Sequence, residues 1–213
     1  MARYITLKFI PLLGPGVVTY AYDRADGRIY QVKADGNVYT PELSTTTPFA
    51  TVCHIKQETF FSIKTPMDHK AVEALIEANA PNKNLFYAIR IDDKFGSVKT
   101  RSVPRQQKPY PVLDIVTRHQ PEFNRRDVEG TIVGFRCPVF VKGVNVPGYH
   151  LHFISRDRLF GGHVLGFEIV SGQGGIDMLH EFFLKLPENA TDFASTDLSK
   201  DRSRELKRVE SGN

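Results

Sequence analysis

The sequence predicts an α+β fold, rich in short strands and carrying one main helix. Three observations lead there. The first third alternates β-branched and aromatic runs with Asp-Gly steps, a hairpin pattern. Only one stretch, residues 66–80, repeats its apolar residues at helical spacing. Beyond residue 127 the strand-like runs return. At 213 residues and 41% hydrophobic, the chain can bury a core without disulfides or metals as staples.

Taken in order, VVTYAY (17–22), RIYQVK (28–33) and NVYT (37–40) read as strands joined at Asp26-Gly27 and Asp35-Gly36, and FATVCHIK (49–56) as another. Thr65 and Pro66 suit the cap and first position of the helix, Val72, Leu75, Ile76 and Ala80 form its apolar stripe, and Pro81 stops it. NLFYAIRID (84–92) is a continuous apolar strand, followed by a turn at Asp93–Gly96 and a further strand over 97–103. Four prolines mark 104–126 as a connection between two halves, with a short helix expected over 111–119. Strands follow at 128–136, 138–142, 146–155, 163–170 and 179–186, with a hairpin turn at Gly172–Gly175. The polar tail after Pro187 is expected to end in a helix over 200–209. The chain thus divides into an N-terminal half, 1–110, and a C-terminal half, 111–213.

Composition excludes several classes. The net charge is +4, with acids interspersed among the bases, which is not the basic stripe of a nucleic-acid binder. The Lys200–Arg208 segment also carries Asp201 and Glu205 and reads as a solvated mixed-charge stretch. No apolar run approaches the ~20 residues that cross a bilayer. Cys53 and Cys137 are 84 residues apart, so no thiolate zinc cluster is available. The uncharged run Phe9–Leu13 is too short for a signal-peptide core. The expectation is a soluble cytoplasmic protein with a small-molecule substrate, no nucleic acid and no membrane.

PGYHLHFISRDRLFGGHVLGF (147–167) carries the chemistry. His150 and His152 are two apart on a strand, so their imidazoles share a face. After the Gly161-Gly162 turn, His163 opens the returning strand and can face the same pocket. Three neutral nitrogen donors with open positions beside them make the layout of a catalytic zinc site. A cupin would add a glutamate a few residues on, where this chain has Ser155, Arg156 and Asp157. A carbonic-anhydrase-like site also uses His-x-His plus a third histidine, so the triad alone does not name a reaction. His54, His69, His119 and His180 lack phased partners and read as structural.

GYHLHFIS followed by GGHVLGF resembles the metal-binding hairpin of the α-acetolactate decarboxylase family. NLFYAIRID, VKTRSV (98–103), QKPY (107–110), GTIVGFRCP (130–138), LPENATDF (186–193) and RVE (208–210) extend the likeness in order over about residues 26–210. The resemblance implies two packed halves: a mixed N-terminal sheet carrying the helix, and a β-rich, barrel-like C-terminal half holding the metal. It implies conversion of (S)-2-acetolactate (2-hydroxy-2-methyl-3-oxobutanoate) to (R)-acetoin and carbon dioxide, a step of acetoin and butanediol formation. It implies zinc on His150, His152 and His163, an active-site arginine at Arg101, a catalytic glutamate at Glu210 rather than nearby Glu205, and a homodimer.

These residue types suit the chemistry in their own right. A β-keto acid loses carbon dioxide when its ketone is polarised, a task for a divalent metal. An arginine orients substrate oxygens, and a carboxyl group moves the proton. Two departures stand out. The family's second catalytic glutamate belongs in an N-terminal strand, yet Gly16–Tyr20 holds none, the first glutamate is Glu42, and Asp23 is the nearest acid. Gly166 stands where the family tends to carry an acid. Two expectations follow: the start MARYITLKFIPLLGPG replaces the true N-terminal strand, or the protein is a catalytically impaired metal- or ligand-binding relative.

Overall fold

The structure, a computed structural model, describes residues 4–7, 19–22, 29–42, 51–104, 120–186, 197 and 199. Among these are eleven strands and a single α-helix: β1 (Tyr4–Leu7), β2 (Thr19–Tyr22), β3 (Ile29–Val32), β4 (Val38–Tyr39), β5 (Thr51–His54), β6 (Thr59–Ile63), β7 (Met67–Asp68), α1 (His69–Asn79), β8 (Phe86–Arg101), β9 (Glu122–Cys137), β10 (Gly148–Ser155) and β11 (Gly161–Leu179). This is the expected α+β class. The expected helices at 111–119 and 200–209 fall outside the described residues, as does Asp23.

The N-terminal runs pair as their turn chemistry demands. β2, β3 and β4 form an antiparallel three-stranded sheet. At the second Asp-Gly step Asp35 accepts the Asn37 N–H at 2.9 Å and Gly36 adopts φ +82°, a left-handed turn that glycine takes without strain. β1 pairs with β5 in a second small sheet. Neither β1 nor β6 is foreseen as a strand from the sequence.

The main sheet runs β10-β9-β8-β11-β6, with β7 added on β11. β11 also pairs with β10, so β10, β9, β8 and β11 close into a ring. Strands from both sides of residue 110 share this sheet, since β8 lies between β9 and β11. Where β9 and β10 meet, both faces are buried. Ile89, Ile132 and Phe153 join one core with Val72 and Ile76 of α1. Their neighbours Ala88, Val133 and Ile154 join a second core with Tyr30 and Ile55. That split between successive residues is the two-residue period of a strand.

Several local expectations are corrected. No turn interrupts β8 at Asp93–Gly96; the strand continues for 16 residues, with Asp93 at φ 132° where the chain kinks. Its pairing with β11 shifts register in the same stretch, so the irregularity is a bulge and not a reversal. Gly172–Gly175 is likewise inside a strand: Gly174 pairs with Phe61 and Ile91, and its missing side chain makes room for the Phe61 ring. Residues 138–142 hold a 3-10 turn (Val139–Val141), and 180–186 have no regular structure. The helix starts later than Thr65, because Met67–Asp68 is held extended against Glu168 and Ile169; Asp68 then caps it by accepting the Ala71 N–H at 2.8 Å.

Candidate metal centre

The three histidines come together because β10 and β11 meet as an antiparallel hairpin with His152 directly opposite His163. Opposed residues of an antiparallel pair project to the same face, and His150 joins them from two residues away. Their turn is built from polar side chains. Ser155 donates its hydroxyl hydrogen to Asp157 and accepts the Phe160 N–H at 3.0 Å. Asp157 also accepts the Leu159 N–H at 2.9 Å, and Arg125 reaches it from β9. Arg158 holds a left-handed conformation at φ 59°.

The imidazoles are buried: His150 is 7% exposed, His152 1% and His163 8%. The Nε2 atoms of His150 and His152 lie 2.9 Å apart, and one nitrogen from each of the three rings lies within 4.8 Å of the others. Burial holds His163 well below the ordinary histidine value, and the nearby charges of Arg101, His150, His152 and His69 push the same way. A neutral ring keeps a lone pair free for a metal, which a protonated one lacks. Three converging imidazoles, with no fourth protein donor among the described residues, are a donor set suited to a divalent cation that keeps positions for substrate. Among the described residues this is the one cluster of such donors.

Arg101 is brought to the same place. It ends β8 directly opposite His163 and is 3% exposed. On its other side it faces Glu122 of β9, whose carboxylate pairs with Lys99 at 2.6 Å. The next residue on, Ser102, donates its hydroxyl to the Val32 carbonyl at 2.9 Å, tying β3 to the edge of the site. Glu210 lies outside the described residues, as does Glu205. At Gly166 the space a side chain would fill is open, with nothing within 4 Å of a Cβ there.

Sequence reasoning finds the three converging histidines but not their frame. Thr100 donates its hydroxyl to the Gly161 carbonyl at 3.0 Å, and nothing in the local spacing marks that contact across 61 residues. His69, read as structural, packs its ring on Phe167 at 4.8 Å and sits near Glu73 at 3.4 Å. Burial lowers its pKa below the ordinary histidine value, against the opposing pull of Asp68.

Comparison with known proteins places this geometry in context. The family model for alpha-acetolactate decarboxylase matches residues 24–200. The alpha-acetolactate decarboxylase of Methanosarcina mazei is 43% identical over 185 residues, which are 87% of this chain and 64% of that protein. The chain therefore spans less than two thirds of that relative's length. The protein of the same name from Methylococcus capsulatus is 40% identical over 86% of this chain and 70% of its own. The solved alpha-acetolactate decarboxylase of Bacillus subtilis strain 168 superposes with a TM-score of 0.84 at 35% identity, covering 88% of this chain and 80% of that one. An acetolactate decarboxylase from Bacillus subtilis subspecies spizizenii gives 0.83 at 30% identity, covering 99% of both chains.

Proposed function

The chain belongs to the alpha-acetolactate decarboxylase family, and on that premise we propose that it converts acetolactate to acetoin and carbon dioxide. His150, His152 and His163 are proposed to hold a divalent metal, zinc by resemblance. The observation that carries the reading is the convergence of three buried imidazoles beside a buried arginine. When bound, the metal supplies the Lewis acidity that polarises the substrate ketone. The imidazoles offer neutral donors and leave coordination positions to substrate oxygens.

Arg101 contributes a permanent charge and fixed-fork donors for the substrate's oxygens. Its burial raises the value of that charge, because water no longer screens it. The bond between the carboxylate carbon and C2 breaks, carbon dioxide leaves, and the electron pair passes into the former ketone. A proton then restores the carbon of acetoin. Glu210 is proposed as the group that moves this proton, on the strength of the tail match at RVE.

A second reading, metal binding without turnover, is kept because Gly16–Tyr20, where the resemblance places the family's second catalytic glutamate, holds none. One experiment separates the two. Purified protein is assayed for metal content, given racemic acetolactate and scored for acetoin. Bound metal with acetoin supports the decarboxylase, and His150→Ala should abolish both. Bound metal without acetoin supports the binding reading, and a His150→Ala variant with full activity removes the metal role.

The homodimer and the cytoplasmic location implied above belong to the same proposal. Exposed apolar side chains at Val139, Phe140, Phe182 and Phe183 support self-association, which sedimentation equilibrium tests. No helix among the described residues is long and apolar enough to cross a membrane.

A further inference from the structure

We propose that Thr100 is a positioning residue, setting how the histidine hairpin closes against β8; this rests on the metal-site reading above. Closure of the ring is a sparse contact. β10 and β11 pair over only His152–Ile154 and Gly161–His163, whereas β8 and β11 pair over most of their length. The orientation of His163 toward His152 therefore depends on where the first residues of β11 are pinned to β8.

Thr100 makes that attachment. It is fully buried, directly precedes Arg101, and donates its hydroxyl to the Gly161 carbonyl at 3.0 Å. One residue further, Gly162 sits at φ +139°, and a Cβ there would lie 2.7 Å from the Arg101 carbonyl and 3.0 Å from the Thr100 Cβ. β8 and β11 are in close contact at this point, with the hydroxyl fixing their offset. Gly161 is also seated from the other side, where its Cβ position is 2.6 Å from the Phe153 carbonyl on β10. One threonine thus relates the strand that carries Arg101 to both strands that carry the histidines. A valine has the same shape but cannot donate, so the offset becomes free to drift. Metal ligands tolerate only about 0.2 Å of such drift.

The test uses cobalt(II) as the probe, titrated into the metal-free full-length protein and followed by its d–d absorption, with melting temperature recorded alongside. Thr100→Val is expected to bind cobalt about tenfold more weakly and with an altered band, while Thr100→Ser stays within about threefold of wild type. A Thr100→Val protein that melts earlier but binds cobalt like wild type overturns the inference. So does a Thr100→Ser protein as impaired as the valine variant. Should Thr100→Val fail to fold, Thr100→Ala decides: it removes the same hydroxyl without putting a methyl group in its place. A weakened, altered cobalt complex supports the inference, and an unchanged one overturns it. Wild-type protein that binds no cobalt overturns the metal reading itself, and this inference with it.

Discussion

Replacing Gly134 by alanine should damage the metal site from the far side of the strand that holds it. Gly134 lies in β9, opposite Leu151 of β10 and Ile89 of β8. A methyl group there would lie 2.2 Å from the His150 carbonyl, 2.6 Å from Leu151 Cδ2 and 2.9 Å from Leu151 Cα. Ordinary contact begins at 3.4 Å, so the His150 carbonyl must retreat by roughly an ångström, and that atom belongs to a strand backbone with no flexible end to swing aside. Overpacking of this kind costs about 1–3 kcal/mol. Taking ~2 kcal/mol, a chain of this size should melt about 4–8 °C lower. The same displacement exceeds by several-fold the ~0.2 Å that metal–ligand distances allow, so metal affinity should fall at least about tenfold. Gly166→Ala is the control, because nothing lies within 4 Å of its Cβ position. It should leave metal binding intact and shift stability by no more than about +1 kcal/mol. Differential scanning calorimetry and zinc titration read both quantities. A Gly134→Ala protein that melts and binds like wild type refutes the steric reasoning. One that melts early but binds zinc normally refutes the coupling between β9–β10 spacing and the ligands.

Other expectations follow from single residues. Arg101→Lys keeps a charge but loses the planar fork, and kcat/KM for acetolactate should drop about 100-fold with metal content unchanged; a parallel loss of metal would assign Arg101 to the frame instead. The Ser155 hydroxyl foremost, then the Leu159 N–H and Arg125, hold the Asp157 carboxyl below its ordinary value of 3.8 against a smaller opposing effect of burial. Below about pH 4 the unfolded chain therefore binds the proton more readily than the folded one. The stabilisation is complete above that value and is lost as pH falls through the depressed one. Asp157→Asn should flatten this acid limb in denaturant titrations between about pH 2 and 5, and an unchanged slope would count against the turn network. Burial pushes the Cys137 thiol up to about 12, so a disulfide exchange reagent at pH 8 should leave Cys137 unmodified until denaturant is added. Mass mapping of a labelled native Cys137 would contradict this.

Much of the site is legible in the sequence because its determinants are local. The two-residue step from His150 to His152 fixes a shared face by strand geometry alone, and the glycines before His163 announce the return of the chain. The small N-terminal hairpin is legible for the same reason, through Asp35-Gly36. What escapes is decided by distant partners. Asp93–Gly96 and Gly172–Gly175 look like turns by composition, yet each is bridged on neighbouring strands that hold it extended. Phe61 fills the space above Gly174 from more than a hundred residues away. The helix start moves from Thr65 to Asp68 because β7 pairs with β11 before the helix can begin. Thr100 is missed because its bond to Gly161 is a tertiary contact with no spacing to betray it.

The side chains proposed for the site lie in one cross-strand row, Arg101 opposite His163 and His163 opposite His152, with Glu122 next in line beyond Arg101. Such a row exists in only one register, because a slip by one residue would turn Thr100 to the site and Arg101 away from it. In most sheets the slip is prevented by an apolar face and a polar one. Near the histidines both faces are apolar, as the split of Ile132 and Val133, or Phe153 and Ile154, between two cores shows. The in-and-out pattern therefore specifies register weakly, and something else must do so. The glycines supply it by steric fit. Gly130 lies under the Phe153 ring, Gly134 under the His150 carbonyl, and Gly174 under Phe61, each with less than 3 Å to spare for a Cβ. A slip would drive a side chain into each of these gaps at once. The register that joins arginine to histidines is thus written in glycines that offer the site no side chain, and for that reason a methyl group at Gly134 tests the proposed site as sharply as the loss of one of its histidines.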